Sequence, residues 1–448
     1  MKRVVNKEIF GWAMFDFANQ AYTLLIITVV FGDLFTRVIV GNAQRDYRLG
    51  NLLWSVALAV SYLAVVIAGP VCGAIMDFSA ARKRFLLASY LLTVVSTAML
   101  YFVAPGYVAL GMVLIVVSNF GYAIGESFIA SFLPDLGPPD SLGWISGFGW
   151  ALGYVGGLVS TAFALLFLGE VSAENFHNVR WVGPFASAFF LVAAVPTFLW
   201  LRERGRPRRL ARPAGYLMMG IWRVRATVLA AGAHRDLACL LGSVFFAMAG
   251  IYIVISFTFI YGAQVVQWDE RIRVAMFVVV QLTAAAGALG FGFFQDRLGA
   301  KRTYQATLLL WVLAILLIYA TPGIAERLGA RYGWRVEAQH VFLAVGCVAG
   351  MCLGGTQSAG RTLVGLFAPK LKAAEFFGFW GLSGKAAAIF GLLGIGLLQA
   401  WVGLHTAILL CMLLFALALL VALPVDEARG RAAAAAPPAR RPPNPDYS

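Results

Sequence analysis

Long apolar stretches recur along the whole sequence, and they constrain its fold more than any other feature. Each is close to or above the roughly 20 residues that an α-helix needs to cross a bilayer. Lys, Arg, Asp and Glu make up only 12% of the 448 residues, about half their share in an average soluble domain. The sequence therefore predicts an all-α membrane protein with twelve transmembrane helices. The expected spans are 10–38, 51–76, 85–104, 107–133, 143–168, 181–201, 237–262, 272–295, 303–321, 338–367, 376–400 and 402–423.

Basic residues are distributed unequally between the two sides that these helices would create. Of the 35 Lys and Arg residues, 24 fall in alternate segments that include both ends of the chain, and nine fall in the loops between them. Cytoplasmic loops are enriched in Lys and Arg, so we expect both termini in the cytoplasm of a multi-pass protein, in a bacterial inner (plasma) membrane. The net charge of +14 is distributed according to this membrane pattern, so we expect no nucleic-acid partner.

A basic segment divides the chain into two halves of six spans. Within it, residues 215–229 alternate apolar side chains with Arg223 and Arg225. This stretch is interpreted either as an amphipathic helix on the anionic leaflet or as a solvated linker. The expected units are a six-helix bundle at 1–201, a cytoplasmic linker at 202–235, a second six-helix bundle at 236–424 and a disordered cytoplasmic tail at 425–448.

The two halves carry similar residues at a fixed separation. Glu126-Ser127 aligns with Gln357-Ser358, and Gly153-Tyr154 aligns with Gly384-Lys385, both at an offset of 231 positions. Parallel repeats of this size are typical of one transporter architecture, whose binding site lies at the midplane between the repeats. We therefore expect two pseudo-symmetric bundles with a site between them.

A loop motif lies between the eighth and ninth expected helices. It fits the signature loop of the major facilitator superfamily, G-x-x-x-D-[RK]-x-G-x-[RK]-[RK], at every defined position. Its matching residues are Gly292, Asp296, Arg297, Gly299, Lys301 and Arg302. A first-half copy retains Gly73, Asp77 and Arg82 but lacks the second glycine and the basic residue after the aspartate. We expect both copies to form a conformational latch, in which Asp and Arg pair across helix ends in one state and separate in the other.

Three longer stretches resemble a particular branch of that superfamily. They run Gly11-Trp12 to Ala21-Tyr22, Phe132-Leu133 to Gly153-Tyr154, and Gly354-Gly355 to Gly384-Lys385. Together they are similar to the vacuole effluxer-type transporters, whose eukaryotic members are associated with amino-acid export from vacuoles. The resemblance implies the major facilitator fold, and it makes amino acids the leading substrate class.

Polar side chains inside the expected spans are the candidates for a binding or coupling site, because a charge in hydrocarbon costs at least about 2.5–3.5 kcal/mol. Asp16, Asn19 and Gln20 lie at i, i+3 and i+4, so they share one helix face. Gln357 and Arg361 share a face in the same way. The full set of candidates is Asp16, Asn19, Gln20, Glu126, Tyr154, Gln357, Arg361 and Lys385.

These charges admit two interpretations. In the functional one, Lys385 and Arg361 hold the carboxylate of a substrate while Glu126 or Asp16 carries a coupling proton. In the structural one, the carboxylates pair with Arg361 or Lys385, and this pairing offsets the free-energy cost of burying charges between packed helices. The pattern of residues alone leaves both open.

The sequence thus predicts a secondary active transporter that moves a small solute by alternating access, with proton coupling. The expected solute is an amino acid or a similar carboxylate-bearing metabolite, and the other expected partner is membrane lipid. The alternatives are a non-transporting receptor or scaffold of the same fold, and a transporter of lipids or other metabolites. No segment is polar enough to be a separate catalytic domain, so we expect no enzyme, no metal and no cofactor.

Overall fold

The computed structural model describes residues 5–41, 47–169, 171–205, 207, 214–229, 234–332 and 337–436. Its architecture is helical, and twelve helical segments within the described residues are long and apolar enough to cross a membrane. This confirms the predicted fold class. We number these segments span 1 to span 12: Lys7–Val40, Arg48–Ser79, Arg82–Phe102, Val108–Asp135, Pro139–Leu168, Phe176–Trp200, Arg235–Val266, Glu270–Leu298, Ala300–Leu328, Ala338–Phe367, Lys370–Val402 and Leu404–Ala422.

Span 1 is the most irregular of the twelve. Its α-helix, Lys7–Ala21, continues as a wider π-helical stretch at Tyr22–Val29. π-Helical turns are rare, and they occur frequently at functional sites. The change of helix type falls directly after the polar residues Asp16, Asn19 and Gln20.

Each half of the chain packs in the same order. In the first half, span 1 contacts span 5, span 2 contacts span 4 and span 3 contacts span 6. The second half repeats these neighbours six spans later, with span 7 on span 11, span 8 on span 10 and span 9 on span 12. The halves meet mainly where span 2 lies on span 11 and span 5 lies on span 8.

Glycines bring the halves together near one face of the bundle. A Cβ atom on Gly73 of span 2 would lie 2.2 Å from the Ala374 carbonyl oxygen of span 11, and one on Gly147 of span 5 would lie 2.3 Å from the Ala288 carbonyl oxygen of span 8. Both contacts lie on the side where span 1 begins and span 12 ends, which we call the terminal face. We call the opposite side the far face. Only glycine permits such close backbone approach, so the halves are sealed together at the terminal face.

Two further helices lie at the terminal face. The linker helix, Ala214–Leu229, packs on span 2. The tail helix, Glu427–Ala435, follows span 12. We expected the tail to be disordered, and the structure differs here because Asp236 accepts two hydrogen bonds from the Arg429 guanidinium, at 2.7 and 2.6 Å. The rest of the expected tail, 437–448, lies outside the described residues.

Candidate functional site

Asp16 and Arg361 form a buried ion pair between the halves. Arg361 Nη1 lies 2.7 Å from Asp16 Oδ2, and 2% of the arginine side chain is exposed. The guanidinium also donates to the Ser146 hydroxyl at 3.1 Å and to the Ser146 carbonyl oxygen at 2.8 Å. It stands 4.5 Å from the ring centre of Trp12 and 5.1 Å from that of Trp150. The charge is therefore held by one carboxylate, two further oxygen acceptors and two aromatic faces.

A second ion pair joins Lys385 of span 11 to Glu126 of span 4. Lys385 Nζ lies 2.7 Å from Glu126 Oε2 and also donates to the Tyr252 hydroxyl at 3.2 Å. The Tyr122 hydroxyl donates to the other carboxylate oxygen of Glu126 at 3.1 Å, and it is 2.7 Å from the Thr23 hydroxyl. Polar side chains from spans 1, 4, 7 and 11 thus meet at one point between the halves.

Both ion pairs cross the boundary between the halves, one from span 1 to span 10 and the other from span 4 to span 11. The structural interpretation of the charges predicted such pairing, and the structure assigns Asp16 to Arg361 and Glu126 to Lys385. Removal of one member of a buried pair leaves an uncompensated charge, whereas exchange of a partner does not.

A cavity of about 230 Å³ lies between the halves. Lys385, Glu126 and Gln357 line its inner part, and it extends towards the far face past Thr258 and Phe342. Its wall is mainly apolar, with contributions from Leu24, Val244, Met248, Phe259, Phe277, Val280, Leu353 and Trp380. The space therefore suits a molecule with a charged end and an apolar body.

Tyr154 and Gln357 connect the halves within this cavity. The Tyr154 hydroxyl of span 5 donates to Gln357 Oε1 of span 10 at 3.0 Å. Tyr154 is the repeat counterpart of Lys385, and both residues line the cavity together with Gln20. The two halves thus present corresponding positions to the same space.

A second, much smaller cavity of about 20 Å³ lies between the two ion pairs. Asp16, Asn19 and Glu126 line it together with Trp150. Asn19 Oδ1 and Trp150 Nε1 are buried and have no protein hydrogen-bond partner. A space of this size and polarity accommodates one water molecule.

The aspartates of the predicted latch both contact the opposite half. Asp77, near the end of span 2, accepts hydrogen bonds from the backbone N–H groups of Ala374 at 3.1 Å and Glu375 at 2.8 Å. Asp296, near the end of span 8, accepts one from Trp144 N–H at 3.3 Å. Each carboxylate therefore sits at the start of a helix in the other half, where free N–H groups and the helix dipole favour negative charge.

The glycines and basic residues of the latch have separate contacts. Gly73 and Gly292 lie in the seams between the halves, where a Cβ on Gly292 would be 2.9 Å from the Gly143 carbonyl oxygen. Arg82 forms an ion pair at 2.6 Å with Asp135, which lies at the end of span 4 in the same half.

The remaining basic residues follow the end of span 8. Arg297 lies 4.1 Å from the ring centre of Phe293. Gly299 adopts a φ of +94°, which ends the helix. The Lys301 N–H donates to Glu427 of the tail helix at 2.9 Å, and Arg302 is exposed. This loop is therefore tied to the tail helix.

Sequence reasoning did not assign Tyr252 or Ser146 to the site. Tyr252 lies in an apolar span and has no charged residue near it on its own helix. Its hydroxyl group was therefore the one feature of the sequence that could have indicated a place in the site. Ser146 belongs to a stretch that resembles the family, but its bonds to Arg361 depend on the packing of span 5 against span 10.

Two solved structures share this architecture. The proton:xylose symporter XylE of the major facilitator superfamily aligns with a TM-score of 0.70 at 14% identity, over 95% of this chain and 96% of that chain. A bacterial homologue of the iron transporter ferroportin, in its outward-facing state, aligns with a TM-score of 0.67 at 14% identity, over 93% and 98%. At such low identity the likeness shows the fold alone, and this fold is that of the major facilitator superfamily.

Sequence relatives narrow the class. The uncharacterized MFS-type transporter YxiO of Bacillus subtilis (strain 168) is 24% identical over 434 residues, 95% of this chain and 96% of the relative. Autophagy-related protein 22-1 of Penicillium rubens is 24% identical over 256 residues, which are 55% of this chain but only 43% of the fungal protein. The family model described as vacuole effluxer Atg22 like matches residues 52–143 and 140–435. The chain therefore belongs to this family of major facilitator transporters, as the resemblance predicted.

Proposed function

We propose that this transporter moves an amino acid or a similar carboxylate-bearing metabolite across the membrane. The observation that carries the proposal is the ion pair of Lys385 with Glu126, at 2.7 Å, in the inner part of the cavity between the halves. A zwitterion carries both charges of this pair on one molecule. Its carboxylate would take the place of Glu126 beside Lys385, and its ammonium group would bind Glu126.

The apolar wall of the cavity favours a solute that has an apolar side chain. Most of the lining between Lys385 and the far face is aliphatic or aromatic, and burial of apolar surface contributes about 25 cal/mol per Å². The ion pair therefore binds the charged end of the solute, and the apolar wall favours solutes with larger hydrocarbon bodies.

Alternating access would open the terminal face while the far face closes. The halves are in backbone contact at the terminal face, where Asp77 and Asp296 each contact a helix start of the opposite half. The cavity extends towards the far face. Transport would require these contacts to break while the halves rock about the two central ion pairs.

Proton coupling is the driving force that the site supports. Protonation of Asp16 would release its ion pair with Arg361, while Glu126 stays ionised and binds the ammonium group of the solute. Two structural neighbours, XylE and FucP, are described as proton symporters. We place both termini in the cytoplasm of a bacterial inner membrane, because the basic residues concentrate on that side.

A thermal-shift screen of the purified protein in detergent tests the substrate class. The compounds are amino acids, dipeptides, organic acids and sugars. A ligand at 100 times its Kd stabilises the folded state by about 2.7 kcal/mol, so we expect apolar amino acids to raise the melting temperature. Lys385→Ala should abolish this shift, whereas the control Lys370→Ala, at an exposed lysine of the terminal face, should retain it.

Counterflow in proteoliposomes then tests movement of the compound identified. A stabilising amino acid that is not exchanged would support the receptor alternative over transport. Stabilisation by sugars alone, unchanged in Lys385→Ala, would contradict the proposed substrate class.

A further inference from the structure

The linker helix, Ala214–Leu229, presents an exposed apolar face. Positions 217, 221 and 228 are spaced at i, i+4 and i+11, so they lie on one side of the helix. Positions 218, 222, 225 and 229 lie beside them on the same face. The exposed apolar residues are Leu217, Met218, Ile221, Trp222, Val228 and Leu229. A surface helix in water places polar residues on its exposed face, so this one is built for another environment.

The exposed apolar face continues the lipid-facing surface of span 2. Exposed residues of that span recur at helical spacing, from Leu52 through Val60 to Ile67. One turn further, the linker helix covers Val71 and Ile75 of span 2 at the position of Gly220. A Cβ atom on Gly220 would lie 3.1 Å from Val71 Cγ1 and 2.9 Å from Ile75 Cγ1. The apolar surface therefore passes from span 2 onto the linker helix without a break.

Positive charge accompanies this surface. Arg225 is exposed within the apolar face, and Lys370 is exposed at the start of span 11. The sequence between 202 and 235 contains nine arginines and one acidic residue, Glu203. An amphipathic helix with basic residues binds the interface of a bilayer that contains anionic lipids.

The opposite side of the linker helix reaches the latch. Thr227 donates a hydrogen bond to Glu375 Oε1, and Arg223 Nε lies 3.7 Å from Glu375 Oε2. Lys372 donates to the Thr227 hydroxyl at 3.1 Å. Glu375 is fully buried, and its own N–H donates to Asp77 at 2.8 Å. A continuous set of contacts therefore joins the exposed helix to the start of span 11.

We propose that the linker helix binds the anionic phospholipid leaflet at the terminal face, and that this contact stabilises the closed state of the latch through Glu375. Lipid binding keeps Arg223 and Thr227 in position around Glu375, and this holds the first turn of span 11 against Asp77. The activity would then depend on the lipid composition of the membrane. This inference does not depend on the identity of the substrate.

Spin-label accessibility tests the location of the helix. With the five native cysteines replaced, a nitroxide is attached at Met218→Cys in the full chain, reconstituted in phosphatidylcholine vesicles with and without phosphatidylglycerol. We expect strong quenching by oxygen and weak quenching by a water-soluble nickel complex. The control label, at Ala428→Cys on the exposed side of the tail helix, should show the reverse. A Met218 label as accessible to nickel as the control would overturn the proposal.

Distance measurements test the coupling to the latch. Labels at Arg84→Cys and Leu423→Cys report on the separation of the halves, because both positions are exposed at the terminal face. We expect phosphatidylglycerol to increase the ratio of closed to open molecules. The increase is at most about fivefold for each basic residue that contacts the anionic surface in the closed state alone. A distance distribution that is independent of lipid composition would contradict the coupling.

Paired variants separate lipid binding from folding. Ile221→Glu and Arg225→Glu should each reduce the effect of phosphatidylglycerol, whereas Ile221→Leu and Arg225→Lys should retain it. All four variants should match the parent in phosphatidylcholine alone. If Arg225→Glu responds to anionic lipid as the parent does, the charge recognition is wrong. If the Ile221→Glu protein does not fold, Arg225→Glu still provides the test.

Discussion

At the scale of single residues, the ion pair of Asp16 with Arg361 is the feature with the clearest energetic consequence. We expect Arg361→Leu to destabilise the protein by about 3–5 kcal/mol, because the buried Asp16 carboxylate loses its counter-charge. The double variant Asp16→Leu/Arg361→Leu should regain most of that loss, since it leaves no unpaired charge. Thermal unfolding in detergent, analysed as a double-mutant cycle, gives the coupling between the two residues.

The matched comparison is with Arg37, which pairs with Asp33 at 3.2 Å in an exposed position. Exposed pairs contribute about 0–1 kcal/mol, so Arg37→Leu should change the melting temperature little. Equal losses of stability for Arg361→Leu and Arg37→Leu would show that burial does not increase the contribution of an ion pair to stability.

At the scale of helices, the seam between spans 2 and 11 depends on Gly73. We expect Gly73→Ala to open the terminal face, because its Cβ would meet the Ala374 carbonyl oxygen at 2.2 Å and backbone cannot yield as a side chain does. The labels at positions 84 and 423 should then show a longer distance. Gly396→Ala, on the same span 11 but with open space around its Cβ, should leave the distance unchanged.

At the scale of the whole molecule, the two aspartates of the latch act on one equilibrium between closed and open terminal faces. A carboxylate at a helix start is worth up to about 2 kcal/mol in a partly buried site, which is about a 30-fold factor in that equilibrium. We expect Asp77→Asn and Asp296→Asn each to increase the open fraction, and the double variant to increase it further.

Cysteine accessibility at the terminal face and double-label distances both measure this fraction. Glu270→Gln is the control, because Glu270 pairs with Arg273 of its own span in an exposed position and does not join the halves. An open fraction that is the same in Asp77→Asn and in the parent would exclude a latch at that position.

The sequence by itself determined the twelve spans, the repeat and the charged residues worth attention. Apolar length is a local property, and a charge in an apolar run is visible without any fold because its desolvation must be compensated. Asp16, Glu126, Arg361 and Lys385 were identified on that ground, and all four line the space between the halves or contact it.

Only the tertiary structure decided which charges pair. Asp16 and Arg361 are 345 positions apart, and the sequence was equally compatible with a pair between Asp16 and Lys385. The choice depends on how span 1 packs on span 5 and span 5 on span 10, which places Ser146 beside the guanidinium. The contact of the linker helix with Glu375 and the ordered tail helix were decided in the same way, because electrostatic and hydrogen-bond energies depend on distances that arise only when separate helices pack together.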